Sequence, residues 1–209
     1  MLEGGKFTLG IVEKSEEYEK LDLEMQELGY SKQEGTISVY VANMMSFVTA
    51  GPFALMLILC YIAFNGLSVL LPDNLIFFVL LIVTFIICTI VHEILHGITW
   101  AIFCKNNFKS INFGIMSAKE LFTPYCHCKE ILNSVHYILG CLAPFIILGI
   151  VPGIISIIIN NPFLMWLSAF NILSAGGDTT ISIMILKDNT KDKIMDHPNE
   201  CGYIAYKKD

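Results

Sequence analysis

Arginine is absent from the 209 residues, and charged side chains of every kind make up only 15 % of them. A soluble domain of this length is more charged, and less apolar than the 55 % found here. All thirteen basic residues are lysines, the formal net charge is −6, and no basic surface interleaved with aromatics is visible. These absences argue against nucleic acid as a partner. Cysteine usage argues against a disulfide framework: the seven Cys are odd in number and lie in apolar runs or lysine-bearing loops, so they read as reduced thiols. There is no internal repeat and no low-complexity tract. No basic start followed by a short apolar core opens the chain, so the first apolar run is expected to stay in the mature protein.

Long apolar runs are what the sequence has in excess. Four are long enough to cross a bilayer: 44–64, 75–103, 137–159 and 163–186. The last two are split only by Asn160-Asn161-Pro162. Every lysine lies before the first run, between the second and third, or after the fourth. Positive charge marks the cytoplasmic side, so both termini and the middle loop are expected there. The expected fold is an all-α polytopic membrane protein with about four transmembrane helices. Residues 1–43 would form a small cytoplasmic N-terminal segment, 44–186 the membrane domain and 187–209 a cytoplasmic tail.

Local signals add detail. Residues 7–12 read as a short strand, Ser15 as the cap of a helix that stops at Gly29, and the alternating 37–41 as a strand or a lead into the first run. Gly51-Pro52 in the first run, and Gly140, Pro144, Gly149, Pro152 and Gly153 in the third, predict kinked, closely packed helices. The second run has one Gly and no Pro, which predicts a straight helix. The partly alternating 110–116 segment predicts a strand or hairpin in the middle loop.

The second run also carries His92-Glu93-Ile94-Leu95-His96. Histidines four apart share one helical face and can bind a single zinc ion, and the glutamate between them can reach a water activated by the metal. The pattern is short and arises by chance, and its competing reading is a pair of packed, hydrogen-bonded histidines beside a neutral buried carboxyl. Three ionisable groups within one apolar run favour the metal, because each is costly there without a compensating partner. Catalytic zinc takes three protein ligands. Asp178, the only charged residue inside the fourth run, is the candidate third. By residue count the His pair and Asp178 lie at similar depth, roughly 12–14 Å from the lysine-bearing ends of their runs. Gly176 and Gly177 would let the helix bend or a backbone approach; the competing reading pairs Asp178 with Asn171 or Thr179. Asn171 and Pro144 are possible cleft residues, although a helix–helix hydrogen bond and a kink account for them better. Cys126-His127-Cys128 lacks the paired spacing of a zinc site and reads as a loop segment or a reducible thiol pair ahead of a second metal site, which stays open. His136 could donate near the site or mark an interface, and His197 marks a C-terminal turn.

On Val91-His92-Glu93-Ile94-Leu95-His96-Gly97 and Ser174-Ala175-Gly176-Gly177-Asp178, the chain resembles the intramembrane metalloproteases of the site-2 protease type. It is most similar to a bacterial zincin peptidase family of small polytopic membrane proteins. Thr123-Pro124-Tyr125-Cys126-His127-Cys128 and Leu142-Ala143-Pro144 add to the likeness, which runs from the first span onward. In site-2 proteases an Asn, a Pro-rich stretch and then Asp-Gly form the later motif. Here Asn171 precedes Asp178, the prolines are missing, and Thr179 follows the Asp.

The resemblance implies cleavage of a membrane protein or peptide substrate within or near the bilayer, and location in a bacterial cell membrane. The residues imply Zn2+ held by His92, His96 and Asp178, with Glu93 as general base. Two other classes stay open: a non-proteolytic zinc-binding membrane protein, and a small ion transporter whose intramembrane His and Asp line a path. The transporter does not need a glutamate between the two histidines.

Overall fold

The computed structural model describes residues 8–67, 74–118, 121–188, 193–198 and 200–208. Its helices are α1 (Thr8–Glu27), α2 (Val39–Thr49), α3 (Gly51–Asn65), α4 (Leu75–Phe103), α5 (Ser134–Pro144), α6 (Val151–Ile158), α7 (Pro162–Ser174) and α8 (Gly176–Lys187). Among the described residues, three stretches are long and apolar enough to cross a membrane: Val39–Asn65, Leu75–Phe103 and Ser134–Ile158. The pair α7–α8 makes a fourth if its 46° bend is counted within one span.

The helix starts follow from short polar residues at the ends of apolar runs. Ser38, Asn74, Asn133 and Asn161 each accept a backbone N–H of the turn that follows, satisfying a donor that has no partner inside its own helix. Ser38 thereby decides the 37–41 alternation in favour of a lead-in, because α2 begins at Val39. α4 runs 29 residues without a break, as its lack of proline predicts. Pro144 ends α5, and the chain passes through one π-helical stretch, Phe145–Ile150, before α6. Wider turns of this kind take up the backbone mismatch that an internal proline creates.

α4 is apolar on its outside. Ile82, Ile86, Ile90, Ile94, Ile98 and Ile102 repeat every fourth residue and are all exposed. The opposite face buries Leu81, His92, His96, Gly97 and Trp100. This inverts the pattern of a helix on a water-soluble protein, whose polar face points outward.

Two expectations are corrected. Residues 8–12 belong to α1 instead of a strand, and residue 7 lies outside the described residues. No proline or turn pair separates Val12 from Ser15, so the helix continues through both. The fold is also not all-α. Four antiparallel strands, β1 (Tyr30–Ile37), β4 (Leu132–Asn133), β5 (Lys193–Asp196) and β6 (Cys201–Lys208), form a sheet in the order β1-β6-β5-β4. Gly29, at φ 79°, turns the chain from α1 into β1. The tail of the sequence expectation is therefore half of a sheet whose other edge comes from the N-terminal segment. Tyr203, Ile204, Ala205 and Tyr206 are almost wholly buried in it.

The expected strand at 110–116 is present as β2 (Ile111–Ala118), paired antiparallel with β3 (Leu121–Cys128), with Ile111 opposite Cys128. This hairpin packs on the C-terminal half of α4, where a side chain at Gly97 would run into the Phe113 ring. One carboxylate fastens the connection. Glu130 accepts the Lys105 N–H at 2.8 Å, the Asn106 N–H at 3.0 Å and the Ser110 hydroxyl.

Partial burial pushes the Glu130 pKa up, but the Ser110 hydroxyl and the Lys105 and Asn106 amides outweigh it and hold the carboxyl below its usual range. A lowered folded-state pKa gives stability that is complete above the unfolded value near pH 4.3 and is lost as pH falls through the lowered one. Glu130→Ala is expected to cost about 1 kcal/mol at neutral pH. Thermal unfolding should show that difference shrinking as the pH is taken below 4; an unchanged gap would contradict it.

Candidate metal centre

A continuous helical face carries the first two donors. His92 and His96 are one turn apart on the buried side of α4, 7 % and 4 % exposed. The third donor arrives because α7 ends at Ser174 and the chain restarts at Gly176, which places Asp178 in the first turn of α8. His92 Nε2 lies 3.1 Å from Asp178 Oδ2, His96 Nε2 lies 3.4 Å from Asp178 Oδ1, and the two Nε2 atoms are 3.0 Å apart. Among the described residues, this is the one group of three or more His, Cys, Asp or Glu side chains compact enough to hold a metal ion.

The tautomer follows from the surroundings. His96 Nδ1 is 2.8 Å from the Gly140 carbonyl, an acceptor only, so Nδ1 carries the hydrogen and donates it. The Nε2 of neutral His96 is then a bare lone pair directed at Asp178 and His92. Protonation of His96 would fill that space with an ion pair to Asp178, whereas a cation would be held by all three donors at once, and two imidazole nitrogens with one carboxylate oxygen are a donor set that suits zinc. The residues fit the ion, with the carbonyl at Gly140 in the outer-shell position that fixes a ligand ring.

Aromatic packing completes the support. Trp100 stacks on His96 at 5.2 Å between ring centroids and on Tyr137 at 5.3 Å. The Trp100 indole N–H donates to the Tyr137 carbonyl at 3.0 Å. A side chain at Gly140 would fall inside the Trp100 ring, so only glycine lets that carbonyl reach His96. The Tyr137 hydroxyl donates to Asp196 at 2.7 Å, and the other Asp196 oxygen accepts the Cys128 N–H and pairs with His127 Nδ1 at 3.1 Å. The stack thus joins the His pair to β5 and β3.

Glu93 lies half-buried on α4 between the two histidines, with the Cys126 amide of β3 directed at its carboxylate. Asn171 and Pro144 are buried but reach none of the three donors by a hydrogen bond: the Asn171 side-chain amide donates to the Leu167 carbonyl, and Pro144 shapes its own helix. Asp178 pairs with the histidines, while Thr179 turns its hydroxyl to Thr49. His136 stacks on Phe103, and His197 accepts the Glu200 N–H in the expected C-terminal turn. Cys126 and Cys128 are buried on β3, with Cys128 Sγ 3.5 Å from Cys104 Sγ, and all seven cysteines are free. Gly140, Trp100, Tyr137 and Asp196 were not readable as a support for His96. Gly140 gave only a packing signal, and the others gave none.

With this geometry in place, comparison with known proteins gives one family. The model described as "Putative zincin peptidase" matches residues 85–192, more than half of the chain, and the protein belongs to that family. The match contains the His pair, Glu93 and Asp178. No curated protein and no solved structure matches.

His96→Ala and Asp178→Ala each remove one of three donors. Bound zinc in the purified protein should fall from about one ion per chain to background in both. Retention of stoichiometric zinc by either variant would remove that residue from the ligand set.

Proposed function

We propose that the protein is a zinc-dependent peptidase embedded in a membrane, with His92, His96 and Asp178 as zinc ligands and Glu93 as general base. The convergence of the two Nε2 atoms and the Asp178 carboxylate within 3.0–3.4 Å carries the reading. Family membership supports peptide hydrolysis. The exposed isoleucine stripe of α4 supports immersion in lipid, since a surface of that size in water is an aggregation liability. The alternation of lysine-bearing and lysine-free connections supports cytoplasmic termini and a catalytic centre nearer that side.

Bound zinc supplies Lewis acidity at the scissile carbonyl. The residues of the chain do the rest. Glu93 takes the proton from the attacking water and delivers it to the leaving amine, a role that needs a carboxylate beside the ligands and free of them. The Gly140 carbonyl and the Trp100 ring keep His96 in one tautomer and one orientation. The substrate is a membrane protein or peptide whose cleaved segment must be extended, because a helical peptide bond is shielded by its own hydrogen bonds. β3 is bonded to β2 on one side and directs the Cys126 amide of its other edge at Glu93, so an extended segment would lie alongside β3.

The glutamate distinguishes this reading from a silent zinc protein and from an ion path. Glu93→Gln should keep zinc bound and lower turnover of a cleavable membrane peptide on the order of 10²–10⁴-fold. Full turnover with zinc retained would remove Glu93 from the chemistry.

A further inference from the structure

The carboxylate that completes the ligand set sits two residues after a helix break, and a short turn after a break needs something to hold it at a fixed height. Gly176, at the start of α8, supplies the anchor point. Its carbonyl accepts the Thr180 hydroxyl at 2.7 Å and the Thr179 hydroxyl lies 2.9 Å away, the back-bonding of threonines that bends helices. A third hydroxyl reaches the same place from another helix. Thr49, the last residue of α2, has its Oγ1 3.2 Å from the Gly176 carbonyl, 3.1 Å from Thr180 Oγ1 and 3.0 Å from Thr179 Oγ1. Thr180 donates to the Gly176 oxygen and Thr179 to Thr49, whose own proton has two acceptors, the Met45 carbonyl of α2 at 3.0 Å and the Gly176 carbonyl at 3.2 Å.

Backbone contact lies beneath this knot. A side chain at Gly176 would collide with Ser46, one turn before Thr49, so α2 touches the α8 backbone directly. Thr179 and Thr180 are 6 % and 5 % exposed, so Thr49 is the one hydroxyl of the three with an acceptor inside its own helix in reach as well. The residues on either side of Asp178 are therefore fastened to α2, while its carboxylate is directed at the histidines of α4.

We propose that Thr49 is a positioning residue for the Asp178 ligand, so that α2, which lies outside the family match, is a working part of the metal centre. The inference rests on the zinc reading above, and its test separates the two. Full-length wild type, Thr49→Val, Thr49→Ala, Thr49→Ser and Asp178→Ala are titrated with zinc against a competing chelator. Wild type and the Thr49 variants loaded with cobalt are compared by visible absorption. Thr49→Val keeps the shape and loses the hydrogen bonds, and it is expected to bind zinc about 10- to 100-fold more weakly. Its cobalt spectrum should shift away from that of wild type. Thr49→Ser restores the hydroxyl and should bind within about twofold of wild type. Thr49→Ala repeats the Val result without a branched side chain, should the Val variant fail to fold. Wild-type affinity and spectrum in folded Thr49→Val or Thr49→Ala, with Asp178→Ala impaired, overturn the inference and leave the zinc reading standing. Absence of zinc binding by wild type overturns both.

Discussion

Asp178 on a broken helix meets His92 and His96 on an unbroken one, and that meeting constrains the rest of the molecule. Two imidazoles and a carboxylate in apolar surroundings are costly unless each is given a partner. The partners are built from both sides. Gly140 fixes one ring through its carbonyl, Trp100 covers that ring, and Tyr137 covers Trp100 in turn. On the opposite side the 46° bend between α7 and α8 brings the carboxylate across, and threonines take up the polar groups around Gly176. The three donors that remain converge on one point, where they could hold a divalent cation.

The sheet extends this support beyond the helices. Asp196 binds the Tyr137 hydroxyl, the Cys128 amide and His127 together, so β5 is tied both to the stack on His96 and to the strand whose Cys126 amide faces Glu93. The Cys-His-Cys segment thereby acquires an account that needs no second metal: its histidine meets Asp196, and Cys128 packs against Cys104. The same arrangement puts the N- and C-terminal segments into one sheet next to the end of α4, the end closest to the proposed chemistry.

The helical scaffold and the His-Glu-His face were legible in the sequence because both are local. An apolar run of 29 residues without proline has few alternatives to a long helix, and a four-residue spacing fixes a shared face. Asp178 was legible because it is the one charge in its run. The sheet was not legible. Two of its strands are only two and four residues long, and the two of eight residues, 30–37 and 201–208, pair across most of the chain, a separation that leaves no periodic mark. Residues 8–12 misled because a few β-prone residues outweighed the absence of any break before Ser15. Thr49 was silent for a third reason: a lone threonine at the end of an apolar helix carries no pattern, and only the approach of α8 gives it a role.

X-ray absorption at the zinc edge of the purified protein tests the central claim most directly, because it reads the ligand atoms themselves. The account predicts about one zinc per chain with two imidazole nitrogens near 2.0–2.1 Å, additional oxygen at similar distance and no sulfur. A zinc–sulfur shell near 2.3 Å would move the metal to the cysteines. That result, or a protein that takes up no zinc at all, would contradict the account.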